Sequence, residues 1–162
     1  MFTARCRTHR DGGHLGNLRP VATVFTKIIE GALPGRFVYS DDQVVGFLSI
    51  NPLGAGHTLV VPRKEIDHWV DADPALVAQV TDVSHRIARA IEQVWQPPRV
   101  GLIIAGFEVP HMHVHVFPAW DMGAFDFRNA EADPDPHELD ANAERLRAAL
   151  DGAARSDTPT TE

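Results

Sequence analysis

PHMHVHVFP, residues 110–118, places histidine at every second position of a short run. His111, His113 and His115 alternate with Met112, Val114 and Val116. Strand side chains alternate faces, so the run predicts a strand with three imidazoles on one side and an apolar set on the other. Successive histidine Cα atoms would lie roughly 6.5 Å apart and the outer pair roughly 13 Å. Only nine histidines occur in the 162 residues, and three stand here.

Three readings compete. Two histidines at i and i+2 can grip one zinc ion, with His57 or His68 as a third ligand. All three on a regular strand reach a single ion poorly, because Zn–N bonds are only about 2.0–2.1 Å. A polar, solvent-facing strand surface is the second reading, though lysine, threonine or glutamate would serve it as well. The third is chemical. An imidazole is a nucleophile or general acid near neutral pH, and a row of them can hold phosphate oxygens while one attacks phosphorus. The attacking ring needs one nitrogen free and its other N–H tied to an acceptor.

Working outward, VGLIIAG (100–106) reads as the strand before this one, apolar throughout. Asp73 and Pro74 open a helix as N-cap and N1. Leu76, Val80, Val83, Ile87, Ile91 and Val94 then recur every three or four residues, one apolar stripe over about six turns. Towards the N-terminus, HTLVVP (57–62) is a strand, and NPLGAG (51–56) has loop composition. RFVYSD and QVVGFLSI meet at Asp41 and Asp42 as a hairpin. VFTKIIEG is a short helix with Phe25, Ile28 and Ile29 inward and Gly31 as its stop. A last helix is expected from about Pro136 to Leu150, with Asp135 as cap and Glu138 at the capping-box position. The fold class is therefore α+β: a mostly antiparallel five-stranded sheet, one long helix, a short N-terminal helix and a C-terminal helix.

Residues 1–20 have no apolar period and are rich in arginine and glycine. They lack the apolar core of a secretory signal. A disordered extension, a transit peptide and an over-long reading frame are the readings open for them. Residues 21–127 form the expected domain, 128–151 a C-terminal helical segment, and 152–162 a disordered tail.

Net charge is −7. Residues 121–162 hold eleven acids against four arginines, so no broad basic surface is implied and a nucleic-acid partner is disfavoured. A small anionic ligand remains compatible. No stretch approaches the ~20 apolar residues of a membrane span. One cysteine, Cys6, rules out an internal disulfide and accords with a reducing, cytoplasmic setting.

HMHVHVF resembles the His-x-His-x-His-x-x signature of the histidine triad (HIT) family. The segment VFTKIIEGALPGRFVYSDDQVVGFLSINPLGAGHTLVVPRKEIDHW is similar to that family's N-terminal half, with its F-x-K-I-I helix, INP loop and GHTLVVP strand. The likeness spans about Val24 to Phe127 in the expected order.

It implies a HIT-like fold and a mechanism. His113 would attack the α-phosphorus of a nucleotide derivative, and water would release the nucleoside monophosphate from a nucleotidyl-histidine. His57 and His115 would contact phosphate, and His111 would support the array by hydrogen bonding. Phe25, Ile28, Phe47 and Ile50 fall where the family lines its base pocket. Ser49, Asn51, Glu108 and Val109 fall in the flanking nucleotide-binding stretches. The resemblance also implies a homodimer, with no cofactor and no metal.

Departures from the family pattern bear on the substrate. Ser49 stands where the phosphoramidase branch has an aspartate for ribose. Glu108 replaces a neutral serine, and Phe107 an expected glutamine. Zinc-binding relatives carry a cysteine pair near the first helix, which VFTKI lacks. Glu65 occupies the place of a family histidine, and His68 and His85 read as structural. A nucleoside phosphoramidate is the first substrate reading. A dinucleoside polyphosphate, and nucleotide binding without turnover, are the alternatives.

Overall fold

The computed structural model describes residues 22–156. The N-terminal extension, Cys6, His9, His14 and the last six residues lie outside the described part.

Helix α1 (Val24–Ile29) begins at Thr23, whose hydroxyl accepts the Thr26 N–H at 3.1 Å. Gly31, at φ +78°, closes it, a backbone conformation that favours glycine. Strands β1 (Phe37–Ser40) and β2 (Val44–Leu48) form the hairpin foreseen at Asp41. Asp41 Oδ1 accepts the N–H groups of Gln43 and Val44, the local bonding that makes aspartate a turn former. Strand β3 (Thr58–Pro62) pairs with β2.

Helix α2 (Pro74–Trp95) is the long amphipathic helix. Its N-cap is Asp73, which accepts the Ala75 N–H at 2.8 Å, a contact worth about 1 kcal/mol. Strands β4 (Arg99–Ile103) and β5 (Val114–Ala119) follow, then helix α3 (Pro136–Ser156). The sheet runs β1-β2-β3-β5-β4, antiparallel throughout. Among the described residues no helix is long and apolar enough to cross a membrane.

Period-two alternation divides two hydrophobic clusters between the sheet's faces. On one face Val44, Leu48, Val60, Met112, Val114 and Val116 pack against Val80, Val83, Ile87 and Ile91 of α2 and Ala143, Leu146 and Leu150 of α3. Each such aliphatic side chain, fully buried, contributes roughly 1.5–3 kcal/mol. On the other face Phe25, Val45, Phe47, Leu59 and Val61 form a smaller cluster. Helix α3 shares the main core.

Three details differ from the sequence expectation. Regular pairing in β5 begins at Val114, so His111 and His113 precede the ladder. The His111 N–H turns back to the Val109 carbonyl, and Met112 N–H bonds Ile66 O, outside the β3–β5 register. Second, α3 continues past Leu150 to Ser156. Gly152 lies inside it, and one glycine costs a helix only about 1 kcal/mol. Third, β4 is an edge strand that ends at Ile103 and leaves Leu102 half-exposed, although its sequence is almost wholly apolar.

Candidate active site

The apolar alternation of residues 111–116 survives the late start of β5. Met112, Val114 and Val116 enter the α2 core, while His111 and His113 ring-pack with Phe25 on the opposite face. His115 sits opposite Leu59 of β3. His57 arrives from the loop before β3, where Gly56 adopts φ +83°. A Cβ on Gly56 would lie 2.4 Å from the Trp95 ring, so only glycine lets this turn close on α2.

The hydrogen bonds assign each ring's proton. Leu53 N–H donates to His57 Nδ1 at 3.0 Å, so the His57 hydrogen is on Nε2. That N–H donates to His115 Nδ1 at 3.0 Å, which leaves the His115 hydrogen on Nε2. His113 Nδ1–H donates to the His111 carbonyl at 2.7 Å, which leaves a lone pair on His113 Nε2. His111 Nε2–H donates to the Pro62 carbonyl at 2.8 Å. A ring with a lone pair thus stands beside a ring with an N–H donor, their centroids 4.9 Å apart.

Burial keeps these rings neutral, because it disfavours the imidazolium. His57 is pushed down to about 3 by burial, with repulsion from His115 and His113 adding to it. His115 is pushed down to about 4 by burial and by His113. Burial also lowers His113 and His111, opposed in part by the carbonyls they bond.

The histidines open on a cleft of about 970 Å³. His57, His113 and His115 line it, as do Phe25, Ile28, Phe47, Ser49, Ile50, Asn51, Glu108 and Val109. His111 does not line it; it is fully buried behind His113. Phe25 and Phe47, in edge-to-face contact at 5.6 Å, belong both to the small core and to the cleft floor. Ile50 is 72% exposed and Phe107 96%, large apolar groups open to a planar ligand. A smaller hollow of about 230 Å³ between α2 and α3 contains none of these histidines.

Two predicted contacts are already engaged. Ser49 donates its hydroxyl proton to the Asn51 carbonyl at 3.1 Å and accepts the Asn51 N–H. Asn51 Nδ2 donates to the carbonyls of Glu131 and Ala132, fastening that segment over the cleft rim. The segment was not identified from sequence as part of the site. Phe127 packs edge-on to His115 at 4.8 Å, and Ala130, Ala132 and the Arg36–Asp140 ion pair complete the wall. Their separation in sequence leaves no local signal. His68 caps the 3-10 turn Trp69–Asp71, and His85 is exposed on α2.

The HIT domain profile matches residues 30–122. The chain belongs to the HIT family. An uncharacterised HIT-like protein of Borreliella burgdorferi is 37% identical over 112 residues, covering 65% of this chain and 81% of that protein. The Arabidopsis thaliana adenylylsulfatase HINT3 is 31% identical over 100 residues, 59% of this chain and 51% of that protein. A crystal structure of a zinc-bound histidine triad family protein from Mycobacterium smegmatis superposes with a TM-score of 0.72 at 31% identity. It covers 83% of this chain and 96% of its own.

The family binds nucleotides and includes hydrolases, and this chain has its nucleotide-binding, hydrolase-like fold. Among the described residues no three His, Cys, Asp or Glu side chains are grouped to hold a metal ion. Both nitrogens of His57 and of His111 are taken by hydrogen bonds, so the histidine cluster does not fit a resident metal.

Proposed function

We propose that the protein hydrolyses a nucleoside phosphoramidate, an AMP–amine adduct, with His113 as nucleophile. The observation that carries the reading is the proton pattern. His113 Nδ1–H is held by a carbonyl, which frees Nε2 to attack the α-phosphorus. The N–P bond forms as the P–N bond to the amine breaks, and the amine departs neutral after its nitrogen takes a proton from solvent. The Nδ1–H···O=C bond stabilises the positive charge left on the phosphorylated ring. Water then attacks the same phosphorus, gives up a proton to solvent, and breaks the P–N bond so that the electron pair returns to Nε2.

His115, whose Nε2–H is free of His57, supplies a hydrogen bond towards a phosphate oxygen, and His57 holds it in that tautomer from behind. Phe25, Ile28, Phe47 and Ile50 receive the base. Ser49 accepts from a ribose hydroxyl, its own proton being committed to Asn51. Glu108 and Val109 border the leaving-group end; the Glu108 charge acts on His113 and favours an amine over a further phosphate there.

We place the protein in the cytoplasm as a homodimer. Support for the dimer is the edge position of β4 with Leu102 half-exposed, an edge that a second copy can cover.

The test is a substrate panel with product analysis. The reading predicts AMP release from phosphoramidates faster than from dinucleoside polyphosphates. The reverse ranking selects the polyphosphate hydrolase, and tight nucleotide binding without product selects a binding module.

A further inference from the structure

A second polar cluster lies behind the cleft and takes no direct part in the chemistry above. Glu65, in the loop after β3, accepts the Thr26 hydroxyl and the Thr23 N–H, the latter at 3.2 Å, both on Oε2. Thr23 Oγ1 lies 3.0 Å from His111 Nδ1, and it also accepts the Thr26 N–H at 3.1 Å. The cluster therefore runs from an exposed carboxylate, through two hydroxyls at the start of α1, to a fully buried imidazole.

Its proton direction follows by elimination. The Pro62 carbonyl only accepts, so His111 carries its hydrogen on Nε2. Nδ1 of the neutral ring then needs a donor, and the Thr23 hydroxyl is the one within reach. Glu65 places that donor: its Oε2 accepts both the Thr23 N–H and the Thr26 hydroxyl, which pins the turn that carries Thr23. Without that acceptor the Thr23 N–H loses its partner, and the Thr23 hydroxyl is no longer held against His111 Nδ1. His111 then feels the change directly. Its backbone carbonyl is the acceptor that orients His113.

We propose that Glu65 and Thr23 are positioning residues: Glu65, through Thr26 and Thr23, locks His111, and the locked His111 carbonyl aims His113 at the substrate. The kinetic arm rests on His113 being the nucleophile; the spectroscopic arm does not. The role is indirect, since none of Glu65, Thr23 and Thr26 lines the cleft.

The experiment pairs disruptive and conservative variants, Thr23→Val with Thr23→Ser and Glu65→Ala with Glu65→Gln, in the full-length protein. Nitrogen-15 NMR of the imidazoles reads the tautomers without any substrate. In wild type, His111 Nδ1 should show a hydrogen-bonded lone pair and His113 should carry its proton on Nδ1. Thr23→Val and Glu65→Ala should shift the His111 Nδ1 signal and mix the His113 tautomers. In turnover assays kcat should fall about tenfold in these two with KM within twofold, the scale of one lost hydrogen bond. Thr23→Ser and Glu65→Gln, which keep the donor and the acceptor, should recover most of both readouts.

Wild-type tautomers and kcat in Thr23→Val and Glu65→Ala, even with a lowered melting temperature, would overturn the proposal. Loss that the conservative partners fail to rescue would overturn it too. If the tautomers shift as stated but no variant, His113→Ala included, alters turnover, the positioning holds and the nucleophile assignment fails.

Discussion

The two faces of one short segment do opposite work. Met112, Val114 and Val116 enter a dry aliphatic core in which Val80, Ile87, Ile91 and Leu146 are fully buried. One residue along, His113 and His115 are also largely buried, yet every buried polar side-chain atom among the described residues has a hydrogen-bond partner. The aliphatic face is held by area, and close substitutes of similar volume would do. The histidine face is held by specific donors and acceptors, where one missing partner leaves a buried polar group unpaired. Stability should therefore follow the first face and chemistry the second.

The sharpest break between them is His113→Ala. It should lower turnover by about four orders of magnitude. Stability should fall by about 1–3 kcal/mol, since the His111 carbonyl loses its partner. Steady-state rates and urea unfolding on the same preparation check both halves.

Ile87→Ala attacks the other face. Ile87 is fully buried on α2, so the variant should lose roughly 2–5 kcal/mol, read as a lower urea midpoint. Its kcat should stay within about twofold of wild type while the protein is folded.

Acid joins the faces. His57 drops from its ordinary 6.5 to about 3 on folding, so the folded chain binds fewer protons below pH 6.5. Stability is full above pH 6.5 and falls as pH drops towards 3. Between pH 7 and 5 the His57 contribution amounts to about 2 kcal/mol. A His57→Gln variant should show a shallower decline of urea midpoint over that range.

The smallest effect belongs to the rim. Asn51→Ala frees the Glu131 and Ala132 carbonyls and should raise KM several-fold at nearly constant kcat, a loss of about 1 kcal/mol.

What sequence revealed and what it concealed divide along the same line. The α2 stripe, the Asp41 turn and the split of residues 111–116 between two faces all rest on local periodicity or turn chemistry, which sequence displays. The retreat of His111 from the cleft was concealed, because its cause is a backbone turn to Val109 and a bond from Met112 to Ile66. Phe127, Asp140 and the Thr23–Glu65 link were hidden for a related reason. Glu65 is 42 residues from Thr23, and Arg36 is 104 from Asp140. Such contacts exist only once the sheet has brought its neighbours together.

The most direct measurement mixes wild-type protein with an adenosine phosphoramidate, quenches within milliseconds, and records intact mass followed by peptide mapping. The account predicts a single nucleotidyl group on the peptide carrying His113, undiminished by EDTA and absent in His113→Ala. AMP release with no trapped adduct, or an adduct mapped to another residue, would contradict it.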